Sequence, residues 1–392
     1  MTQIAEGVFW VGAIDWTRRD FHGYSTHRGT TYNAYLILDE KKALVDTAQS
    51  SHFPELLARV KEILDPREID YLVSLHVEPD HSGSLSQVLA HCPKAQVVTV
   101  ERHGEQGLSK YFQQKLPFIA VKEGSTLSLG KRSLSFVPTP MLHWPDNMVA
   151  FLSPDAILFS SDAFGQHLAT SARFDEQADM GLVMAEAAKY YANIILPFPI
   201  QVTRALERTR ALSPTVIAPS HGVMWRAHLP EILEAYGRWS RGETCPRALV
   251  VYDTMWHSTE AMALALAEGI AQEGVEVVLH SLGSSDLSDI VGDLLEARAL
   301  AVGSPILNNG LLPRVAAFLT YLKGLRPRGR LGAAFGSFGW GGAAAVKAIK
   351  EDLALAGLEV LEDELAVRFS PTQEELQACR LLGQKLAQKI KG

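Results

Sequence analysis

Apolar runs recur along the chain, and the longer ones end on polar clusters. Ile69, Tyr71, Leu72, Val73 and Leu75 read as a buried strand that leads into His76-Val-Glu-Pro-Asp-His-Ser-Gly83. The largely apolar run from Leu134 to Met141 leads to His143, Ala156-Ile-Leu-Phe-Ser-Ser ends at Asp162, and Val216-Ile-Ala-Pro-Ser ends at His221. Loops that follow strands are where α/β folds usually place their chemistry. A helix-like stretch with Tyr236, Trp239 and Ser240 then gives way to a short linker, Gly242-Glu-Thr-Cys-Pro. Beyond it, Ala248-Leu-Val-Val-Tyr has the unbroken apolar character of a central parallel strand. Ala299 to Val302 and Leu331 to Phe335 repeat that character, and Ala261 to Glu273 and Gln373 to Lys391 read as helices. Strand, loop and helix alternate to the end, which predicts a doubly wound sheet with a ligand across the carboxyl ends of its strands.

The cluster after the first strand packs four ligating side chains, His76, Glu78, Asp80 and His81, into six positions. Imidazoles mixed with carboxylates, and no thiolate, suit a transition metal, and two hard carboxylates tilt the choice from zinc toward iron or manganese. A lone His beside an Asp would mean little on a solvated loop. His143, Asp162 and His221, each at the end of its own apolar run, set this cluster apart.

The layout resembles the metallo-β-lactamase fold, whose ligands come from successive strand-end loops as a histidine cluster, a histidine, an aspartate and a histidine. The resemblance covers roughly residues 1 to 240. Hydrolases of that fold read His-x-His-x-Asp-His; here Glu78 replaces the second histidine, and the extra negative charge favours iron. The chain therefore looks like the flavodiiron proteins; Ala13-Ile-Asp-Trp, Asp20-Phe-His-Gly-Tyr, Thr30-Thr-Tyr-Asn-Ala-Tyr-Leu and Met141-Leu-His-Trp-Pro-Asp make it most similar to the rubredoxin:oxygen oxidoreductase group. That likeness implies one iron on His76, Glu78 and His143, a second on Asp80, His81 and His221, and Asp162 as the bridge. In some relatives the imidazole equivalent to His81 turns away from the metal. The family also places a histidine near the pocket, here His22, and Tyr190 or Tyr191 is read as a pocket hydroxyl, with Tyr191 taken forward beside His22 as a catalytic candidate. His27, His52, His91, His103, His167 and His228 carry no motif and read as surface or loop residues.

In the second half, Thr254, Ser258 and Thr259 offer hydroxyls beside a helix start, an arrangement that suits one phosphate. Taken alone the loop reads equally well as a helix cap, and it matches neither the dinucleotide fingerprint nor the triphosphatase loop. Resemblance to flavodoxin, over about 247 to 392, implies FMN. It assigns Thr254, Met255, Trp256, His257, Ser258 and Thr259 to the phosphate side. Pro305, Ile306, Asn308, Asn309 and Gly310 would form one wall of the ring site, and Ser337, Phe338, Gly339, Trp340 and Gly341 the other. The expected architecture is thus α/β: a metallo-β-lactamase-like αββα sandwich over 1–244 and a flavodoxin-like doubly wound parallel sheet over 247–392.

Such a fusion implies electron flow from FMN to a non-haem diiron site that reduces oxygen to water or nitric oxide to nitrous oxide. The family joins the two sites across a head-to-tail homodimer, and dimers pairing into tetramers are left open. No Cys-x-x-Cys rubredoxin segment is present, so an external donor is implied: a rubredoxin, or a reduced deazaflavin coenzyme as in other members. Arg326, Arg328 and Arg330 read as a solvated turn before they read as a docking patch. A zinc hydrolase with a fused flavodoxin module is the rival reading, and Glu78 argues against it. Among 392 residues, 47% are hydrophobic and 21% charged, as in ordinary globular enzymes. A net charge of -7 with no long basic run argues against a nucleic-acid partner. Three widely spaced cysteines, Cys92, Cys245 and Cys379, and a start with neither signal-peptide features nor a spanning run point to the cytoplasm.

Overall fold

The computed structural model describes residues 2–392. Contacts divide the chain into two compact units. One takes the chain up to His22, Thr26–Tyr190 and Phe198–Gly237; the other takes Gly23–Ser25, Tyr191–Pro197 and Arg238–Gly392.

The first unit contains a seven-stranded and a five-stranded sheet. In the seven-stranded sheet, Lys42–Val45, Ile69–Val73 and Gln96–Val100 lie side by side and parallel. In the five-stranded sheet, Ser133–Pro138, Met148–Ser153 and Ile157–Ser161 form an antiparallel meander, and Val216–Pro219 joins it in parallel. Strand side chains alternate between faces, and the inward ones form a single core: Tyr35, Val45, Val73 and Val98 from one sheet with Phe136, Ala150, Phe159 and Ala218 from the other. The outer face of the first sheet buries Leu36, Leu44 and Leu72 against Leu56, Val60 and Val88 of the helices Phe53–Lys61 and Leu85–His91. The helix Pro199–Leu212 lies over Val137 and Val149 of the second sheet. These layers form the αββα sandwich.

The second unit is built on a six-stranded sheet that runs in the order Glu276–Ser281, Cys245–Tyr252, Ala297–Gly303, Leu331–Phe338, Glu359–Val360, with Leu365–Arg368 also paired to the fourth strand. Every pairing is parallel. Numbered along the chain this is the 2-1-3-4-5 order of doubly wound sheets, and the direction of winding reverses between Cys245–Tyr252 and Ala297–Gly303. Ala248, Val250, Ala299 and Phe335 pack against the helices Ser258–Gln272 and Gln373–Lys391. The helices Leu287–Leu294, Pro313–Leu325 and Ala344–Leu355 cover the opposite face.

Arg330 departs from the expected solvated turn. It is 1% exposed, and its guanidinium donates to the carbonyls of Leu294, Leu295 and Arg328. The first two end the helix Leu287–Leu294 and lack helical partners, so Arg330 satisfies them. Only Arg326 and Arg328 of that trio are exposed. Among the described residues, no helix is long and apolar enough to cross a membrane.

Candidate metal centre and flavin loops

The strand Ile69–Val73 delivers its chain into an extended segment, where alternate residues share a side, so His76 and Glu78 point together. Pro79 then starts the short helical turn Pro79–Ser82, which carries Asp80 and His81. The five-stranded sheet supplies the rest. His143 lies between two antiparallel strands, while Asp162 and His221 follow the neighbouring parallel strands Ile157–Ser161 and Val216–Pro219. All seven side chains meet in one place.

They sort into two sets. His76, Glu78 and His143 offer donor atoms within 4.8 Å of one another, and so do Asp80, His81 and His221. Glu78 Oε2 lies 3.3 Å from His76 Nε2 and 3.2 Å from His143 Nε2. Asp80 Oδ2 lies 3.1 Å from His221 Nε2. Asp162 faces both sets: Oδ1 is 3.1 Å from His81 Nε2 and 3.7 Å from His221 Nε2, and Oδ2 is 3.7 Å from both His76 Nε2 and His143 Nε2. His81 therefore turns into the cluster.

Metal–ligand bonds of about 2.1 Å put neighbouring ligand atoms about 3.0–3.4 Å apart, close to these spacings. His76 Nε2 and Asp80 Oδ1 are buried without a hydrogen-bond partner, a costly state for polar atoms and one that a cation at each position relieves. Four imidazoles and three carboxylates make a donor set suited to iron. The residues fit two metal ions.

Electrostatics agree. Burial alone would push the His76 imidazole down, but the adjacent carboxylates of Asp146 and Glu78 raise it to about 10. His81, also fully buried, is held well above its ordinary value by Asp162 and Asp80. Burial opposes ionisation of Asp162 and Glu78, yet the adjacent histidines hold both carboxyls below the usual range. Without metal, protons on His76 and His81 offset part of the carboxylate charge; metal ions take the place of those protons.

Other side chains fix the ligands. His76 Nδ1 donates to Asp146 Oδ2 at 2.8 Å, His221 Nδ1 to the Thr31 carbonyl at 2.7 Å, and His81 Nδ1 lies 3.3 Å from Asp46 Oδ2. Such partners set ring orientation and tautomer, leaving Nε2 for the metal. Asp46 is itself held, receiving the Leu75 amide at 2.8 Å and the Ser220 hydroxyl at 2.9 Å. Reading the sequence missed Asp46 and Thr31. Asp146 had a signal, as the last member of His143-Trp-Pro-Asp.

His22 sits at the rim, its side chain 73% exposed and its Nε2 3.2 Å from Glu78 Oε1. The hydroxyl that reaches the cluster belongs to Tyr190, which donates to Asp162 Oδ1 at 2.8 Å. Tyr191 is a correction: its ring lies against Trp239, 5.1 Å between centroids. The α-helix Met180–Tyr190 changes to a π-helical turn at Tyr191–Ile195, so the two rings leave the backbone in different directions. His167 also differs from expectation. It is 2% exposed, takes a 2.8 Å hydrogen bond with Thr30 Oγ1, and packs 5.0 Å from the rings of both Tyr190 and His221.

In the second unit the three expected loops follow neighbouring parallel strands. The Thr254 hydroxyl is buried and without a partner just before the helix Ser258–Gln272. Thr259 Oγ1 lies 3.0 Å from Ser337 Oγ, tying the first loop to the third. His257 turns to Glu260 Oε2 at 2.5 Å, and Met255 and Trp256 are exposed. Asn308 and Asn309, at φ 51° and 60°, make the tight turn between Ile306–Leu307 and Gly310–Leu311. The third loop comes close to that turn: a Cβ added at Gly341 would lie 3.0 Å from Asn309 Oδ1. Phe338 and Gly339 are partly covered, Trp340 is 67% exposed, and Pro305 is buried. The donors here are hydroxyls and backbone at a helix start, which fits the phosphate of a mononucleotide.

A lactamase-like sandwich with a pocket of four histidines and three carboxylates, followed by a flavodoxin-like sheet, joins a candidate metal centre to a candidate flavin site. Residues 30–222 match the ODP family beta lactamase and residues 250–383 match Flavodoxin. The chain is 48% identical over 392 residues to a nitric oxide reductase of Moorella thermoacetica, covering 99% of this chain and 98% of that protein. Rubredoxin oxygen:oxidoreductase from Desulfovibrio gigas superposes with a TM-score of 0.97 at 39% identity, covering 100% and 98% of the two chains. The flavodiiron protein of Giardia intestinalis superposes with a TM-score of 0.96 at 36% identity, covering 99% and 96%. The chain belongs to the flavodiiron proteins. It is an oxidoreductase of oxygen and/or nitric oxide, with FMN in its flavodoxin domain and a non-haem diiron site in its lactamase-like domain.

Proposed function

We propose that His76, Glu78 and His143 hold one iron, that Asp80, His81 and His221 hold the other, and that Asp162 bridges them. The observation that carries this reading is the division of Asp162, with one oxygen toward each set. When bound, the irons supply the redox chemistry and the open positions at which a small gas is reduced. The protein's own groups do the rest. Tyr190, by donating to Asp162 Oδ1, holds the carboxylate across both sets. Reduction of these gases consumes protons, and His22, in water and beside Glu78, is placed to carry them to the pocket.

FMN is held by the loops Thr254 to Thr259, Pro305 to Gly310 and Ser337 to Gly341, within a domain that we take as 247–392, after a diiron domain of 1–244. A rubredoxin-type protein supplies the electrons, in line with the name of the D. gigas relative. The working unit is a head-to-tail homodimer; exposed Trp256 and Trp340, 86% and 67% accessible, give the flavin loops an apolar rim that a partner would cover. Three unpaired thiols support a reducing, cytoplasmic setting.

The test is iron and flavin analysis, followed by anaerobic reduction and rapid mixing with each gas. Two irons and one FMN per chain with fast reoxidation support the reading. Zinc in the pocket with no gas-driven reoxidation would overturn it. Activity that survives dilution to monomers would refute the dimer alone.

A further inference from the structure

We propose that Gly107 is a positioning residue for the metal centre: lacking a side chain, it lets the helix His103–Phe112 bear directly on Val77, the residue between the ligands His76 and Glu78. The inference rests on the ligand assignment above. A Cβ placed on Gly107 would lie 2.9 Å from Val77 Cγ1, 3.0 Å from Cγ2 and 3.1 Å from Cβ. These are closer than carbon atoms pack, so a methyl group at 107 requires either Val77 or the helix to move.

Val77 has little room. It is 4% exposed, it packs in an apolar cluster with Leu85, Val97, Leu108 and Leu116, and its β-branched side chain cannot rotate freely. Its amide donates to Asp146 Oδ2 at 2.7 Å, the same oxygen that receives His76 Nδ1 at 2.8 Å. A push on Val77 therefore moves the His76 ring and its anchor together.

The helix is confined as well. One turn earlier, a Cβ on Gly104 would meet Thr99 Oγ1 at 2.2 Å, so the helix already rests on the strand Gln96–Val100. Leu108 is fully buried. Glycine is a poor helix former, and two of them on one side of a ten-residue helix are accounted for by these two contacts.

The effect falls on one metal position first. His81 is fastened from another direction, its carbonyl receiving the Thr47 amide at 2.9 Å and the Thr47 hydroxyl at 2.6 Å. Displacement of Val77 thus falls first on the His76, Glu78 and His143 set; the turn with Asp80 and His81, joined to the Val77 carbonyl through the Ser82 hydroxyl at 2.7 Å but also pinned by Thr47, shifts less.

The experiment titrates the full-length, metal-free protein with cobalt(II), using its visible absorption to count sites and affinities, in wild type, Gly107→Ala, Val77→Ala and the double variant. Wild type should take two cobalt ions. Gly107→Ala should keep one tight site and weaken the other about 10- to 100-fold, the range for disturbing groups that orient ligands. Removing the Val77 methyl groups in the double variant relieves the two closest contacts and leaves only the 3.1 Å approach of Cβ to Cβ, so the weakened site should recover in part. Two wild-type sites in Gly107→Ala, or no recovery in the double variant, would overturn the inference while leaving the ligand assignment intact. A wild-type protein that takes fewer than two ions would bring down both. Should Gly107→Ala fail to fold, Val77→Ile presses the same contact from the other side; undisturbed loading there overturns the proposal.

Discussion

The two sites of this chain are built from different parts of the polypeptide. In the first unit the proposed metal-binding atoms belong to seven side chains, and three of the four histidines are oriented by a further residue far away in sequence: His76 by Asp146, His81 by Asp46, His221 by the Thr31 carbonyl. In the second unit the loops proposed to hold FMN offer backbone shape, with hydroxyls at a helix start and an Asn308-Asn309 turn in the left-handed region. A site of buried, mutually charged side chains tolerates little, because removing one partner strands the others. A site shaped by backbone and small hydroxyls should respond in smaller steps. Substitutions can break or sharpen that contrast.

The largest effect is expected from Glu78→His. An imidazole there lowers the negative charge of the cluster and brings it to the hydrolase pattern, so the variant should take zinc in place of iron and lose gas reduction; full iron content with normal turnover would contradict the role given to Glu78. Next comes Asp146→Ala, which frees the His76 ring and leaves the Val77 amide unpaired. Metal affinity should fall about 10- to 100-fold, read by competition with a chelator. Tyr190→Phe removes one hydrogen bond to a carboxylate, worth about 1.5 kcal/mol, so turnover should drop roughly tenfold. Tyr191→Phe, on the ring that packs against Trp239, should leave turnover within about twofold.

In the flavin loops, Thr254→Val removes one hydroxyl at the helix start. FMN should bind about 2- to 10-fold more weakly, corresponding to about 0.5–1.5 kcal/mol, as measured by fluorescence titration. A loss as steep as that of Asp146→Ala would erase the contrast between the sites.

The smallest effect concerns pH. Neighbouring carboxylates raise His76 to about 10, above its ordinary value of 6.5, so its proton stabilises the metal-free fold fully below about 6.5 and less and less as pH rises toward 10. Melting of the metal-free protein should occur a few degrees lower at pH 8.5 than at pH 6. The iron-loaded protein, with metal in place of that proton, should lack this slope.

The same contrast explains what the sequence revealed. The residues that meet in the cluster could be picked out beforehand because the His76 to His81 group, His143, Asp162 and His221 each follow an apolar run. The strand-end loops of the second unit were legible as strand, loop and helix in repetition, which is a property of pattern more than of individual residues. What stayed hidden depends on the third dimension. Asp46 lies 35 residues from His81 and carries no mark of its own. Tyr190 and Tyr191 are adjacent, and only the change from α-helix to π-turn decides which of them faces Asp162. His167 stands in no motif, yet it is packed against His221. Arg330 reads as a surface charge until the end of the helix Leu287–Leu294 is found above it.

The central claim is that one carboxylate, Asp162, joins two sets of ligands into a single two-metal centre. The most direct measurement is the Mössbauer and EPR spectrum of the iron-loaded, oxidised protein. Two irons bridged by Asp162 should be magnetically coupled, with no signal from isolated ferric ions, and Asp162→Ala should abolish that coupling. Two magnetically independent irons in the wild type, or coupling that persists in Asp162→Ala, would contradict the account.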